Sequence, residues 1–122
     1  MSAHPSGLIL VLVDDDLHIR RAIGRLLRAH GHEVHLFESA EAYLADRCEA
    51  DCAIFDITLP GLSGLQLEEQ LRHEGRTLPV VFITARDDLS VRAAAARIAC
   101  PLIGKPLDEE GLLDAIARVT HH

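Results

Sequence analysis

Three consecutive carboxylates, Asp14, Asp15 and Asp16, follow six apolar residues, 8–13 (LILVLV). Burying a charge is costly unless it is paired or binds a metal, and three adjacent acids also repel one another. Either they lie in a solvated turn, with Asp16 capping the next helix, or something cationic sits among them. Three later positions bear on the choice. Asp56 closes the apolar run CAIF, Thr84 ends PVVFIT, and Lys105 follows CPLIG. Lys105 is the only lysine, beside eleven arginines, and lysine offers a compact point charge where arginine offers a planar fork. Taken singly, each residue has an ordinary explanation: a turn-forming aspartate, a strand threonine, a surface lysine. Taken together they suit phosphoryl chemistry. A hard dication such as Mg²⁺ prefers carboxylate and carbonyl oxygens, and Asp14, Asp15 and Asp56 could supply that charge. Asp56 could then attack phosphorus and form an aspartyl-phosphate. Lys105 would neutralise phosphoryl oxygens and Thr84 would donate a hydrogen bond, because phosphoryl transfer rests on positioning and charge stabilisation.

Such a cluster requires elements that bring four distant segments to one place. The first apolar run, unbroken over six residues, reads as a strand buried on both faces. Residues 17–30 carry Ile19, Ala22, Ile23, Leu26 and Leu27 at helical spacing, with Gly31 where a helix stop belongs. EVHLF (33–37) predicts the second strand, and Ser39 caps a short helix over 40–47. Residues 52–55 predict the third strand, ending at Asp56. ITLPGLSG follows as a loop, then a helix over 65–73 stopped by Gly75. The fourth strand is predicted over 79–84, an alanine-rich helix over 89–98, and a short fifth strand over 100–104. Asp108 caps the last helix, whose apolar face is Leu112, Leu113, Ile116 and Val119. Gly111 is a mild weakness in its first turn. Five strand–helix units imply an α/β domain with one parallel sheet and helices on both faces. In such sheets sites form beyond the carboxyl ends of the strands, where Asp14–Asp16, Asp56, Thr84 and Lys105 all fall.

At 122 residues the chain is read as one domain, 1–122, with residues 1–7 as a flexible tail. Nearly half of it is hydrophobic, enough for a core, and its net charge of −7 argues against a general nucleic-acid or membrane-surface binder. No stretch approaches a membrane span, and MSAHPSG lacks a signal-peptide pattern, so a cytoplasmic location is expected. Cys48, Cys52 and Cys100 show no disulfide framework and are read as reduced packing residues. The eight histidines form no convincing ligand set and are read as surface residues. No glycine-rich loop follows the first strand, which argues against nucleotide binding.

The ordered set VDDD (13–16), FDITLPGLSG (55–64), ITAR (83–86) and KP (105–106) resembles the receiver domain of bacterial two-component response regulators, the CheY-like family, over nearly the whole chain. The resemblance implies a flavodoxin-like (βα)5 domain with strand order 2-1-3-4-5. It implies a signalling domain that catalyses only its own phosphorylation and dephosphorylation. Asp56 would take a phosphoryl group from a sensor histidine kinase or phosphotransfer protein. Asp15 would bind Mg²⁺ directly, Asp14 would assist, and Asp56 and the Thr58 carbonyl would complete the protein ligands. Thr84 and Lys105 would contact the phosphoryl group, and Lys105–Pro106 would be cis. Phosphorylation would remodel the face formed by helix four, strand five and helix five, which would engage a downstream protein or output domain and could also pair two copies.

Three departures fall on that output side. Leu102 stands where the family usually carries an aromatic switch residue, Leu107 stands where phenylalanine is common, and RIACPLIG lacks the usual glycine near the end of helix four. Helix four is therefore expected to end irregularly, and Pro101 suits an edge strand. The competing reading is a phosphorylation-independent binding module with the same fold. A hydrolase of external phosphoesters would want a pocket and a general acid, and neither is evident. Nothing in this chain is expected to contact nucleic acid or membrane.

Overall fold

In a computed structural model, residues 4–86 and 88–121 are described. The strands are β1 (Ile9–Val13), β2 (Glu33–Phe37), β3 (Cys52–Asp56), β4 (Val80–Thr84) and β5 (Leu102–Gly104). The helices are α1 (Leu17–Ala29), α2 (Ala40–Asp46), α3 (Gly64–His73), α4 (Leu89–Arg97) and α5 (Glu109–Thr120). The five strands form one parallel sheet in the order β2-β1-β3-β4-β5, the order implied by the family resemblance. The predicted elements agree with these to within two residues at each end; β5 starts at Leu102, two residues late, because Pro101 has no N–H to give the ladder.

Alternation along the strands sorts the core into two layers. Val11, Val13, Ala53, Phe55 and Phe82 face Tyr43 of α2, Leu67 and Leu71 of α3, and Val91 and Ala95 of α4. Leu10, Leu12, Ile54, Val81 and Ile83 face Ile23 and Leu27 of α1 and Leu112, Leu113 and Ile116 of α5. With both faces covered, β1, β3 and β4 read as continuous apolar runs.

Helix starts follow the predicted caps. Asp16 accepts from the N–H groups of His18 and Ile19, Ser39 from Ala42, and Asp108 from Gly111. Ser63 and Gln66 form a reciprocal capping box on α3. Cys48 lies beyond α2 and Cys52 within β3, and all three cysteines are free thiols.

The histidines require a correction. His32 is buried, 6% exposed. It accepts the Leu8 N–H at Nδ1 (3.2 Å), which ties the approach to β1 onto the start of β2. Of the expected N-terminal tail, residues 1–3 lie outside the described residues, as does His122 at the other end. Gly7 donates to the Gly31 carbonyl at 3.0 Å, and His4 Nε2 lies 2.6 Å from Asp114 Oδ1 of α5. No helix among the described residues is long and apolar enough to cross a membrane.

Candidate functional site

The carboxyl ends of β1, β3, β4 and β5 bring Asp14, Asp56, Thr84 and Lys105 to one edge. Lys105 Nζ stands between two carboxylates, 3.0 Å from Asp56 Oδ2 and 2.9 Å from Asp14 Oδ2. Asp14 has no exposed surface and Asp56 is 3% exposed, whereas Asp15 faces solvent. One carboxylate oxygen from each of Asp14, Asp15 and Asp56 lies within 4.8 Å of the others. Asp16 is engaged in the α1 cap, its Oδ1 accepting the His18 and Ile19 N–H groups.

The carboxylates are held by local backbone. Asp14 Oδ1 accepts the Asp16 N–H at 2.9 Å, and Arg20 Nη1 donates to the Asp14 carbonyl at 2.7 Å. Asp56 Oδ1 accepts the Thr58 N–H at 3.1 Å. Among the described residues, Asp14 Oδ2 is fully buried and makes no well-directed hydrogen bond: the Lys105 contact meets the distance of an ion pair but not the direction of a hydrogen bond. The adjacent charges make it an ion pair, and the oxygen retains unused acceptor capacity.

Burial pushes the Asp56 carboxyl above its usual range, and Asp14 adds to the rise, while Lys105 and the Thr58 N–H oppose it. For Lys105, burial alone would depress the ammonium, but the two carboxylates outweigh it and the net direction is upward. The two directions are compatible. The lysine gains from two acids, whereas Asp56 must share one cation with Asp14.

Thr84 is buried, and its hydroxyl is turned into the loop after β4. It accepts the Arg86 N–H and donates to the Arg86 carbonyl, each at 2.9 Å. Its backbone carbonyl accepts the Lys105 N–H at 2.7 Å, which fixes the end of β5 beside β4. Lys105–Pro106 is cis. Gly64 packs so tightly under Asp56 that an added Cβ would collide with the Asp56 carbonyl.

Two residues at this edge carried no sequence signal. Arg20 reads as one of several α1 arginines, and Glu41 as an exposed α2 acid, yet Glu41 Oε2 accepts the Leu62 N–H at 3.0 Å. Only the tertiary fold reveals these ties. A cavity of about 580 Å³ lined by His4, Asp114, Arg118 and His121 contains none of the carboxyl-edge groups.

The parallel sheet with an acid cluster and a lysine at its carboxyl edge defines a receiver-type signalling domain. The chain belongs to the response regulator receiver domain family, which matches residues 10–117. It is 34% identical over 111 residues to the response regulator protein TodT of Pseudomonas putida, covering 88% of this chain and 49% of that protein. It is 34% identical over 115 residues to nodulation protein W of Bradyrhizobium diazoefficiens, covering 92% of this chain and 51% of that one. The chain thus spans about half the length of the curated relatives it matches. Among solved structures, response regulator StyR superposes with a TM-score of 0.83 at 36% identity, over 93% of this chain and 60% of that one. The BeF3-activated DrrB receiver domain superposes at 0.85 over 95% of this chain and 99% of that one; at 22% identity it speaks for the fold alone.

Proposed function

We propose that Asp56 is the phosphoacceptor of a two-component signalling pathway and takes a phosphoryl group from a phosphohistidine on a sensor kinase or phosphotransfer protein. The observation that carries this is the buried Asp56 carboxylate, 3.0 Å from Lys105 Nζ and clustered with two further carboxylates at the sheet's carboxyl edge. An Asp56 oxygen attacks phosphorus, the O–P bond forms, the P–N bond breaks, and the imidazole leaves. Lys105, already charged between its acids, offers its N–H groups to the phosphoryl oxygens. Thr84 joins them by exchanging its Arg86 hydrogen bond for one to the phosphoryl group, which couples the new charge to the β4–α4 loop.

The donor set fits Mg²⁺: hard carboxylate oxygens gathered within 4.8 Å, on three residues of which Asp14 also carries a buried oxygen with unused acceptor capacity. Asp14, Asp15, Asp56 and the Thr58 carbonyl would hold the ion. Its chemistry there is to supply positive charge against the phosphoryl oxygens. The output is the α4–β5–α5 face, read by an output domain or a separate protein. Leu102, half-buried against the α4 side of the core, lacks the ring that an aromatic switch needs, so the readout runs through Thr84 and the α4 loop.

Intact-mass spectrometry after incubation with acetyl phosphate tests the reading. Wild type is expected to gain one phosphoryl group only with Mg²⁺, and Asp56→Asn none. An adduct that persists in Asp56→Asn, or none from either acetyl phosphate or a phosphorylated kinase, overturns it.

A further inference from the structure

The loop between β3 and α3, residues 57–63, carries Thr58 directly beyond Asp56. Its ends are tied by ordinary backbone bonds: Ile57 donates to the Ile83 carbonyl at 2.9 Å, and Gly64 to the Ile57 carbonyl at 3.0 Å. Its crest is tied differently. The Leu62 N–H donates to Glu41 Oε2 at 3.0 Å, and Glu41 belongs to α2, 21 residues earlier. The adjacent Gly61 has φ +75, and a Cβ there would lie 2.7 Å from that same oxygen. The backbone therefore approaches the carboxylate as closely as it does because residue 61 has no side chain.

In the first turn of α2 a carboxylate at position 41 also favours the helix N-terminus, but the cap and the core contacts come from other residues. Ser39 supplies the cap, accepting the Ala42 N–H at 3.0 Å, and Ala40 and Tyr43 supply the core contacts. Glu41 is exposed, yet its carboxyl is held below the usual range, chiefly by the Leu62 N–H. Its one tertiary partner among the described residues is the loop.

We infer that Glu41 is a positioning residue, a latch from α2 that holds loop 57–63 so that the Thr58 main chain stays beside Asp56. The inference rests on the reading of Asp56 and Thr58 proposed above. The latch orders the loop before any cation arrives, so less ordering accompanies binding. Its loss weakens the cation's hold without altering the attacking carboxylate.

The test compares wild type, Glu41→Ala and Glu41→Gln. Hydrogen exchange of the Leu62 amide is measured in metal-free protein, and phosphoryl uptake from acetyl phosphate is measured across Mg²⁺ concentrations. In Glu41→Ala, Leu62 exchange is expected to accelerate and the half-saturating Mg²⁺ concentration to rise about threefold to tenfold, the worth of one hydrogen bond. The rate at saturating Mg²⁺ stays within about twofold, because the lost bond does not touch the reacting atoms. Glu41→Gln keeps an acceptor oxygen and is expected to recover most of both effects; it decides the matter if Glu41→Ala fails to fold in a circular-dichroism melt. A wild type that takes up no phosphoryl group overturns the reading of Asp56. A wild type that does, beside a Glu41→Ala variant with the same Leu62 exchange or the same Mg²⁺ dependence, overturns the latch alone.

Discussion

Two buried carboxylates share one ammonium at the end of β3, and that imbalance has a measurable consequence. Asp14 and Asp56 both lean on Lys105, and among the described residues the Asp14 oxygen facing the lysine has no well-directed hydrogen bond. Burial raises the Asp56 carboxyl, so the folded protein holds a proton there more readily than the unfolded chain. That contribution is complete below the ordinary value of 3.8 and is lost as pH rises through the folded value. At pH 7, without a cation, ionised Asp56 is therefore a net cost to the fold. Asp56→Asn keeps the shape and removes one of the crowded charges. Metal-free Asp56→Asn is expected to melt above wild type at pH 7, by roughly 4 °C for each kcal/mol relieved in a domain of this size. Added Mg²⁺ should then raise the melting temperature of wild type more than that of the variant. A lower melting temperature for the metal-free variant would mean that Asp56 stabilises the fold, and would sink this account of the site's charge.

Helix ends show the same sequence-to-structure logic one scale up. α1, α3 and α4 finish with the same turn, in which the N–H two residues past the cap reaches back to a carbonyl in the last turn. His32 reaches Leu27, Arg76 reaches Leu71, and Cys100 reaches Ala95. The residue between must adopt positive φ. It is Gly31 after α1 (φ +89) and Gly75 after α3 (φ +76), but Ala99 after α4 (φ +56). The missing glycine was visible in RIACPLIG and predicted an irregular end to α4; the turn instead survives with Ala99 in the glycine's place, its carbonyl acceptors Ala95 and Ala96 lying before that segment. An alanine in this region costs roughly 1–2 kcal/mol. Ala99→Gly is expected to stabilise the protein by about 1 kcal/mol, allowing for the freedom glycine adds to the unfolded chain. Urea unfolding should show a higher midpoint at unchanged slope; an unchanged or lower midpoint would mean that Ala99 is not strained.

At the scale of the whole molecule, periodicity and punctuation made the (βα)5 order legible, and the parallel sheet then carried Asp14, Asp56, Thr84 and Lys105 to one edge. What stayed hidden depends on contacts between distant segments: Glu41 with Leu62, Arg20 with the Asp14 carbonyl, and His32 beneath the lead into β1. His32 resisted reading because nothing between Gly31 and Glu33 signals burial; the fold supplies it, bringing the Leu8 N–H onto the ring. Its burial is expected to make the fold acid-sensitive above the carboxylate range. Burial, and to a lesser degree His30, depresses the His32 imidazole below its ordinary 6.5, and as acceptor of the Leu8 N–H its Nδ1 carries no proton. Below 6.5 the unfolded chain takes up a proton that the fold refuses. Stability is thus undiminished above that pH and falls as pH drops toward the folded value, with a slope of at most about 1.4 kcal/mol per pH unit, the limit for one proton. His32→Asn keeps an acceptor for Leu8 and cannot titrate. Urea midpoints measured from pH 7.5 to 5 are expected to fall more steeply for wild type than for His32→Asn, with the two profiles diverging below about 6.5. Parallel profiles would show that the imidazole takes its proton as readily in the fold as in the unfolded chain, and that the lead into β1 is held by something other than His32.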